Sequence, residues 1–263
     1  MQTRNSIEAK LKHVDVVILC GGAGSRLREV VNDRPKPMAE INQGPFLDIL
    51  IDYFASFGFR RFVLCTGHMS EVIQHYYGHK NGLLEFVLSD ERTPLGTAGA
   101  VKNAERYIRS DPFLVANGDS FCPADLAEFY NFHSARQALL SMVAVESEHQ
   151  ANSGLVVLDG LQRIVSFEEK KQRSGTACIS AGIYLFQKNV LTSIPTGTKY
   201  SLEYDLFPKL TGRGCFGYVA HAKLIDIGTP RQYESAKKCF VGSLKVPPVR
   251  DFPGNEKHGL TGP

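Results

Sequence analysis

The chain has 263 residues, of which 43% are hydrophobic and 22% are charged, and its formal net charge is +3. This composition excludes fibrous, low-complexity and disordered proteins, and no apolar run approaches the roughly 18 residues that a membrane helix needs. Because the basic residues are dispersed and no secretory leader pattern is present, we expect a cytoplasmic protein that binds neither a membrane nor nucleic acid.

Apolar runs alternate with helical patterns through the first half of the chain. The runs that predict strands are 14–20, 62–66, 84–88, 113–116 and 139–145. Parallel strands joined by right-handed crossovers form an open sheet that is covered on both faces. We therefore expect an α/β fold with a Rossmann-like, open and mostly parallel sheet, and ligands at the carboxyl ends of its strands.

Two helices are marked by their boundaries. Apolar residues recur every three or four positions over 46–57, and Gly58 follows as a stop signal. The last helix begins at the cap Thr229 with Pro230 in its first turn, Gln232 completes the capping-box spacing, and the helix is expected to end near residue 240.

The strand pattern changes after about residue 150. Shorter runs at 155–158, 163–167 and 179–186 predict a small inserted β-region instead of a second domain. We divide the chain into an N-terminal extension (1–13), one domain (14–241) and a C-terminal tail rich in proline, glycine and charge (242–263).

Cysteines and histidines show no metal or disulfide pattern. The six cysteines occur singly, so the interpretation is that they are buried thiols. The histidines lack metal-ligand spacing, and we interpret them as structural: His68, His75, His79, His133, His149 and His221.

Glycines and two cations follow the first predicted strand. The segment L-C-G-G-A-G-S-R-L (19–27) contains Arg26, and P-K-P (35–37) places Lys36 shortly after it. Backbone amides at glycines can approach phosphate oxygens, and the cations supply positive charge for a polyphosphate. Neither a Walker G-K-[ST] nor a G-x-G-x-x-G spacing is present. The expected ligand is a nucleoside triphosphate, and a plain tight turn is the alternative for the glycines alone.

Four more segments follow in chain order, namely P-L-G-T-A-G (94–99), N-G-D (117–119), E-E-K (168–170) and I-D-I-G-T-P (225–230). With the glycine segment and P-K-P, they resemble the sugar-1-phosphate nucleotidyltransferase family over about residues 14 to 240. The resemblance implies transfer of a nucleotidyl group to a sugar 1-phosphate with Mg²⁺ as cofactor. It also implies that the inserted β-region binds the sugar.

The resemblance assigns roles to individual residues. It implies that Arg26 and Lys36 are catalytic and contact the triphosphate, and that Asp119 and Asp226 bind Mg²⁺ through hard oxygen ligands. Taken singly, an aspartate after a strand is usually a turn former. The residues implied in nucleotide binding are Leu19, Gly21, Gly22, Gly24, Ser25, Glu91, Gly96, Thr97 and Gly118. Those implied in binding the sugar phosphate are Gly154, Glu169 and Lys170.

The base and the sugar are finer predictions. Glu91 precedes the 94–99 loop, and a carboxylate accepts hydrogen bonds from both donors on the guanine edge, which favours GTP. A solvated loop glutamate is the alternative, and it would leave a thymidylyl- or uridylyltransferase open. Within the family the segments look most like heptose 1-phosphate guanylyltransferases of the D-glycero-α-D-manno type, with mannose 1-phosphate enzymes as the alternative.

An alternative hypothesis from another functional class is a non-catalytic nucleotide-sugar sensor. Such a protein would be expected to lack charged groups at the phosphates, whereas Arg26, Lys36, Asp119 and Asp226 are all present. The expected partners are therefore GTP and a sugar 1-phosphate, and the sequence leaves a homodimer open.

Overall fold

The computed structural model describes residues 4–80, 82–148, 153–171 and 175–240. Its strands are β1 (Asp15–Leu19), β2 (Glu40–Ile41), β3 (Gly44–Pro45), β4 (Arg61–Thr66), β5 (Glu85–Asp90), β6 (Phe113–Asn117), β7 (Ser120–Phe121), β8 (Leu140–Ser147), β9 (Gly154–Leu158), β10 (Ile164–Glu169), β11 (Ala177–Phe186), β12 (Cys215–Val219) and β13 (Ile225–Asp226). Its α-helices are α1 (Arg4–Leu11), α2 (Phe46–Ser56), α3 (Ser70–Tyr77), α4 (Gly96–Asn103), α5 (Leu126–Ala135), α6 (Phe207–Leu210) and α7 (Pro230–Cys239). Shorter helical turns lie at Lys36–Met38, Glu105–Tyr107, Lys188–Ser193 and Leu202–Leu206.

Four parallel strands in the order β6-β1-β4-β5 form one half of the central sheet. Side chains alternate between the two faces, so Val16 and Ile18 of β1 enter one core while Val17 enters the other. The carboxyl ends of all four strands therefore meet at one edge, where the predicted site residues follow them in sequence. The predicted α/β fold with a Rossmann-like parallel sheet is confirmed.

The strands after residue 150 extend this sheet. Strand β11 pairs antiparallel with β6, β8 and β9, and β10 continues the order beyond β9. Strand β12 pairs in parallel with β8. The register of β11 on β8 shifts between Ser180 and Tyr184. The inserted β-region is thus continuous with the parallel half of the sheet.

Helix α2 shows why apolar periodicity was a sufficient signal. Phe46, Leu47, Leu50, Ile51, Tyr53 and Phe54 are all buried, and this spacing covers one face of a helix. The helix ends at Ser56, and Gly58 follows with a φ of 104°. The predicted helix and its glycine stop are confirmed.

Helix α7 is capped as predicted. The Thr229 hydroxyl accepts a hydrogen bond from the backbone N–H of Gln232 at 3.3 Å, and Pro230 occupies the first turn. Beyond the helix, Phe240 is buried and makes edge contacts with Phe46 and Phe121, with ring centroids at 6.3 and 5.4 Å. The helix that follows β13 is thereby attached to the core. The predicted tail, 242–263, lies outside the described residues.

The N-terminal extension contains helix α1, whose Ile7 and Leu11 are buried in the same core as α2. Four cysteines are buried, as expected for apolar thiols, whereas Cys178 is half-buried and Cys239 is exposed. Across the described residues, the helices are too short or too polar to cross a bilayer.

Candidate active site

The glycine loop, residues 21–24, begins directly after β1. Cys20 N donates to the carbonyl of Cys65 at 2.8 Å, so the loop leaves the sheet beside the end of β4. An added Cβ on Gly21 would lie 2.8 Å from Glu91 Oε1, and Gly24 has a φ of 61°. At Gly24 the positive φ favours glycine, and at Gly21 a side chain would displace the Glu91 carboxylate. The loop therefore exposes backbone at the carboxyl edge of the sheet, as phosphate binding requires.

The end of the site that is predicted to bind the base is built around Glu91. Its backbone N–H donates to the Thr66 carbonyl at 2.9 Å, and its Oε2 accepts a hydrogen bond from Leu95 N at 3.1 Å. Its Oε1 faces Gly21 and Gly67. Burial raises the pKa of Glu91 above its usual range. The carboxylate is thus fixed at one oxygen, while the other borders the loop.

The 94–99 loop is attached to residues 198–203. Gly96 has a φ of 72°, and an added Cβ there would lie 2.7 Å from the Tyr200 carbonyl oxygen. The Thr97 hydroxyl donates to Glu203 Oε2 at 2.7 Å and accepts from Leu202 N at 2.7 Å. Because the protein already uses this hydroxyl, the side chain of Thr97 holds the loop, and a nucleotide would meet the backbone here.

A cavity of about 580 Å³ lies between the glycine loop and Glu91. This volume is within the usual range for a small-molecule site. It is lined by nine of the predicted residues, namely Leu19, Gly21, Gly22, Gly24, Lys36, Glu91, Gly96, Thr97 and Asp119. The loops that follow β1, β4, β5 and β6 all contribute, so the cavity lies where parallel-sheet topology predicts a ligand.

Lys36, Asp119 and Asp226 form the charged end of the site. Lys36 Nζ lies 2.7 Å from Asp119 Oδ2. Asp226 is brought beside Asp119 by the pairing of β13 with β7, in which Ile227 N donates to the Asp119 carbonyl at 3.1 Å. The Asp226 carboxylate also accepts a hydrogen bond from Gly228 N.

The electrostatics of this end fit a divalent cation. Burial and then the negative charge of Asp119 raise the pKa of Asp226 to about 6, while Lys36 and Arg26 oppose the shift. Two carboxylates that repel each other are stabilised by a shared cation, and their oxygens are ligands that Mg²⁺ prefers. The described residues contain no cluster of three or more candidate metal ligands. Phosphate oxygens and water would complete the coordination.

The residues predicted to bind the sugar phosphate lie on β9 and β10. Gly154 pairs with Glu169 across these strands, and Lys170 follows with a φ of 57°. Burial and the charge of Glu203 raise the pKa of Glu169 to about 7, with Lys170 opposing the shift. Lys170 is exposed, and its Nζ lies 5.7 Å from the centre of the Tyr204 ring.

Tyr184 connects this group to the charged end. It lies on β11, and the carboxylates of Glu203, Glu169 and Asp119 add to burial in raising its pKa. All three carboxylates are therefore within electrostatic reach of one buried phenol. Gly154, Glu169 and Lys170 do not line the cavity that contains Glu91.

Other predicted residues lie around the cavity instead of lining it. Ser25 and Arg26 are exposed in the turn after the glycine loop. Gly118 supports the loop, because its N–H donates to the Leu19 carbonyl at 3.0 Å. Arg26 is still close enough to lower the pKa of Asp226.

Ten of the nineteen residues that line the cavity were not among the sequence candidates, and His68, Asn117 and Lys199 are three of those with polar side chains. His68, which the sequence analysis interprets as structural, borders the cavity in the loop after β4. The sequence signal that could have placed His68 at the site was its position shortly after the predicted strand 62–66. Asn117 ends β6, and its buried Oδ1 has no hydrogen-bond partner among the described residues. Lys199 is brought in by the attachment of residues 198–203 to α4, for which sequence periodicity has no signal.

Comparison with known proteins agrees with this geometry. The family model described as nucleotidyl transferase matches residues 15–240. The chain belongs to this family. A D-glycero-alpha-D-manno-heptose 1-phosphate guanylyltransferase from Aneurinibacillus thermoaerophilus is 32% identical over 226 residues, which is 86% of this chain and 97% of that relative. A mannose-1-phosphate guanylyltransferase from Mycobacterium tuberculosis is 34% identical over 248 residues, which is 92% of this chain and 69% of that relative.

A solved structure with the same architecture is HddC from Yersinia pseudotuberculosis complexed with GMP-PN. It is 35% identical to this chain, with a TM-score of 0.75, and the match covers 86% of this chain and 99% of HddC. Nucleotidyltransferases of this family generally use a divalent metal. The predicted family membership is confirmed, and the paired carboxylates are consistent with that metal requirement.

Proposed function

We propose that this nucleotidyltransferase transfers GMP from GTP to D-glycero-α-D-manno-heptose 1-phosphate, giving a GDP-heptose and pyrophosphate. The observation that carries the proposal is the contact between Lys36 and Asp119, beside Asp226, at one end of the cavity that Glu91 borders at the other. Relatives named as guanylyltransferases and a relative complexed with the guanine nucleotide GMP-PN support the choice of base. Residues 14–241 would form the catalytic domain.

The reaction is an in-line displacement at the α-phosphorus. A phosphate oxygen of the sugar 1-phosphate forms the new P–O bond, the bond to the β-phosphate breaks, and pyrophosphate leaves with the electron pair. The attacking oxygen is already anionic, so no strong general base is required. Catalysis therefore depends on holding two mutually repelling anions in line and on balancing the charge that develops.

Lys36 and Arg26 would supply that positive charge. Lys36 is held against Asp119 at 2.7 Å, which places its ammonium at the charged end of the cavity, where we assign it to the α-phosphate. Arg26 is exposed in the turn after the loop, and we assign it to the triphosphate. The amides of Gly21, Gly22 and Gly24 would contact phosphate oxygens between them.

Asp119 and Asp226 would hold Mg²⁺. When bound, the ion neutralises phosphate charge and helps to align the reacting groups. The protein fixes the Asp226 carboxylate through Gly228 N and the Asp119 backbone through Ile227 N, while Lys36 contacts the Asp119 carboxylate. The negative charges of the two carboxylates repel each other. A bound cation would relieve this repulsion, so the pair is suited to bind one.

We assign the base to Glu91 and the sugar phosphate to Gly154, Glu169 and Lys170. Guanine presents two adjacent donors, and Glu91 Oε1 faces the glycine loop while Oε2 is held by Leu95 N. In the β9–β10 region, the exposed ammonium of Lys170 suits a phosphate. The carboxylates of Glu169 and Glu203 suit sugar hydroxyls, which can donate hydrogen bonds.

Mannose 1-phosphate is the second candidate acceptor, because the 34% identity to the mannose-1-phosphate guanylyltransferase extends over 92% of this chain. We would test both acceptors in a pyrophosphate-release screen of four nucleoside triphosphates against a panel of sugar 1-phosphates. The proposal predicts the largest kcat/KM for GTP with the heptose 1-phosphate. Preference for mannose 1-phosphate would select the alternative acceptor, preference for UTP or dTTP would refute the base assignment, and no turnover with any pair would favour a sensor.

A further inference from the structure

Two side chains outside the proposed machinery meet beside the glycine loop. Arg28 Nη2 lies 3.0 Å from His68 Nε2, and Arg28 Nε donates to the Ala23 carbonyl at 3.1 Å. The backbone N–H of His68 donates to the Gly21 carbonyl at 3.3 Å. A guanidinium has donors only, so His68 Nε2 must be the acceptor and the ring proton must be on Nδ1. The neutral imidazole thereby orients Arg28 along the loop.

Among the described residues, Arg28 has no acidic partner, in contrast to Arg34 and Lys36. Arg34 lies 2.7 Å from Asp33, and Lys36 lies 2.7 Å from Asp119. Arg28, which is exposed, forms no ion pair with a carboxylate among the residues that the structure describes. Its charge and its remaining N–H donors are therefore available to an external anion.

The position of Arg28 relates it to the phosphates. Ala23, Gly24, Lys36 and His68 line both the nucleotide cavity and a smaller cleft that contains Arg28. The Cβ position of Gly24 lies 3.4 Å from Lys36 Cβ. Positive groups thus continue from Lys36, which contacts Asp119, along the glycine loop to Arg28.

We propose that Arg28, positioned by His68, binds the β- and γ-phosphates of the nucleotide and the pyrophosphate that leaves. An in-line displacement sends the leaving group away from the attacking sugar phosphate, and Arg28 lies along the loop beyond Lys36. The fork of an arginine matches two phosphate oxygens in a bidentate contact. This inference rests on the proposed function only for the direction in which pyrophosphate departs.

The test uses the full chain with inorganic pyrophosphate and Mg²⁺ in titration calorimetry, followed by GMP under the same conditions. Loss of a charge-assisted contact predicts that Arg28→Ala weakens pyrophosphate binding about tenfold or more and leaves GMP binding unchanged. Arg106→Ala, in the turn Glu105–Tyr107, is the matched control and should bind pyrophosphate as the wild type does. Unchanged pyrophosphate affinity in Arg28→Ala, or an equal loss for GMP, would overturn the proposal.

His68 is a positioning residue, so its variants separate orientation from charge. His68→Gln retains an acceptor for Arg28 and should keep the pyrophosphate affinity, whereas His68→Leu should lose affinity as Arg28→Ala does. Wild-type affinity in His68→Leu would refute the positioning role, and thermal unfolding of each variant checks that it is folded. Pyrophosphate carries neither base nor sugar, so an error in the proposed substrates leaves this result unaffected.

Discussion

Replacing Glu91 by glutamine tests how the base is selected. Leu95 N donates to Glu91 Oε2 at 3.1 Å, and this donor needs an oxygen partner. The amide of Glu91→Gln must therefore keep its oxygen toward Leu95 and turn its NH₂ group toward Gly21 and Gly67, where Oε1 lies in the wild type. The variant would present donors to the N1–H and N2–H donors of guanine.

The expected loss follows from this fixed orientation. A hydrogen bond to a charged group contributes about 1.5–3 kcal/mol, which is roughly ten- to a hundredfold in affinity. Glu91 is only half-buried, and solvent screening moves the expectation to the lower end, about a tenfold rise in KM for GTP. UTP and dTTP offer an acceptor at O4 to the new NH₂ group, so their use should improve.

Competition between equimolar nucleotides, with products separated by chromatography, measures this effect directly. Wild type should favour GTP strongly, and Glu91→Gln should narrow the preference against UTP and dTTP. Arg92→Gln, which changes the next residue of the same loop, shows whether any substitution in this loop alters the preference for GTP over UTP and dTTP. An unchanged preference in Glu91→Gln would show that Glu91 is a solvated loop residue.

Three further results are expected. Asp119→Asn and Asp226→Asn should each lower kcat about a hundredfold or more, since metal-ion stabilisation of transferring phosphates is worth several kcal/mol. The surface variant Asp52→Asn should keep the wild-type kcat, and near-wild-type turnover of either site variant in saturating Mg²⁺ would contradict the metal assignment. Lys170→Ala should raise KM for the sugar 1-phosphate about tenfold and leave KM for GTP nearly unchanged, and the opposite pattern in steady-state kinetics would reassign Lys170. Because the pKa of Glu169 is raised to about 7 in the fold, the folded state holds a proton that the unfolded state releases. The free energy of unfolding should therefore fall as the pH rises from about 5 to 7, and Glu169→Gln should lack this decrease. The same pH dependence of the unfolding free energy in both proteins would refute the raised pKa.

Local signals in the sequence predicted much of the fold. The apolar spacing of α2 and the cap at Thr229 act within a few residues, so their effects are visible in the sequence alone. The parallel strands were predictable because alternating strand and helix patterns permit few topologies. The continuity of β9 and β10 with the main sheet was not predictable from local signals, since it depends on the long strand β11 and its register shift between Ser180 and Tyr184.

The site shows the same division. Lys36 and Asp119 were predicted from motifs far apart in the chain, and the structure places their charged atoms 2.7 Å apart. Lys199 and the bond between Thr97 and Glu203 depend on a loop contact across about a hundred residues, for which no periodicity exists. His68 lacked a recognisable motif because its partner, Arg28, is set by the fold and not by spacing.

The most direct test of the central claim is the fate of labelled phosphate from GTP. Wild-type protein, Mg²⁺ and the heptose 1-phosphate would be incubated in parallel with α-labelled and γ-labelled GTP, and the products separated. Attack at the α-phosphorus predicts that the α-label enters a GDP-sugar while the γ-label leaves in pyrophosphate, and that Asp226→Asn slows both about a hundredfold or more. The claim would be contradicted if wild-type protein released the γ-label as inorganic phosphate or left the α-label in GTP. It would also be contradicted if Asp226→Asn transferred the labels as fast as the wild type does.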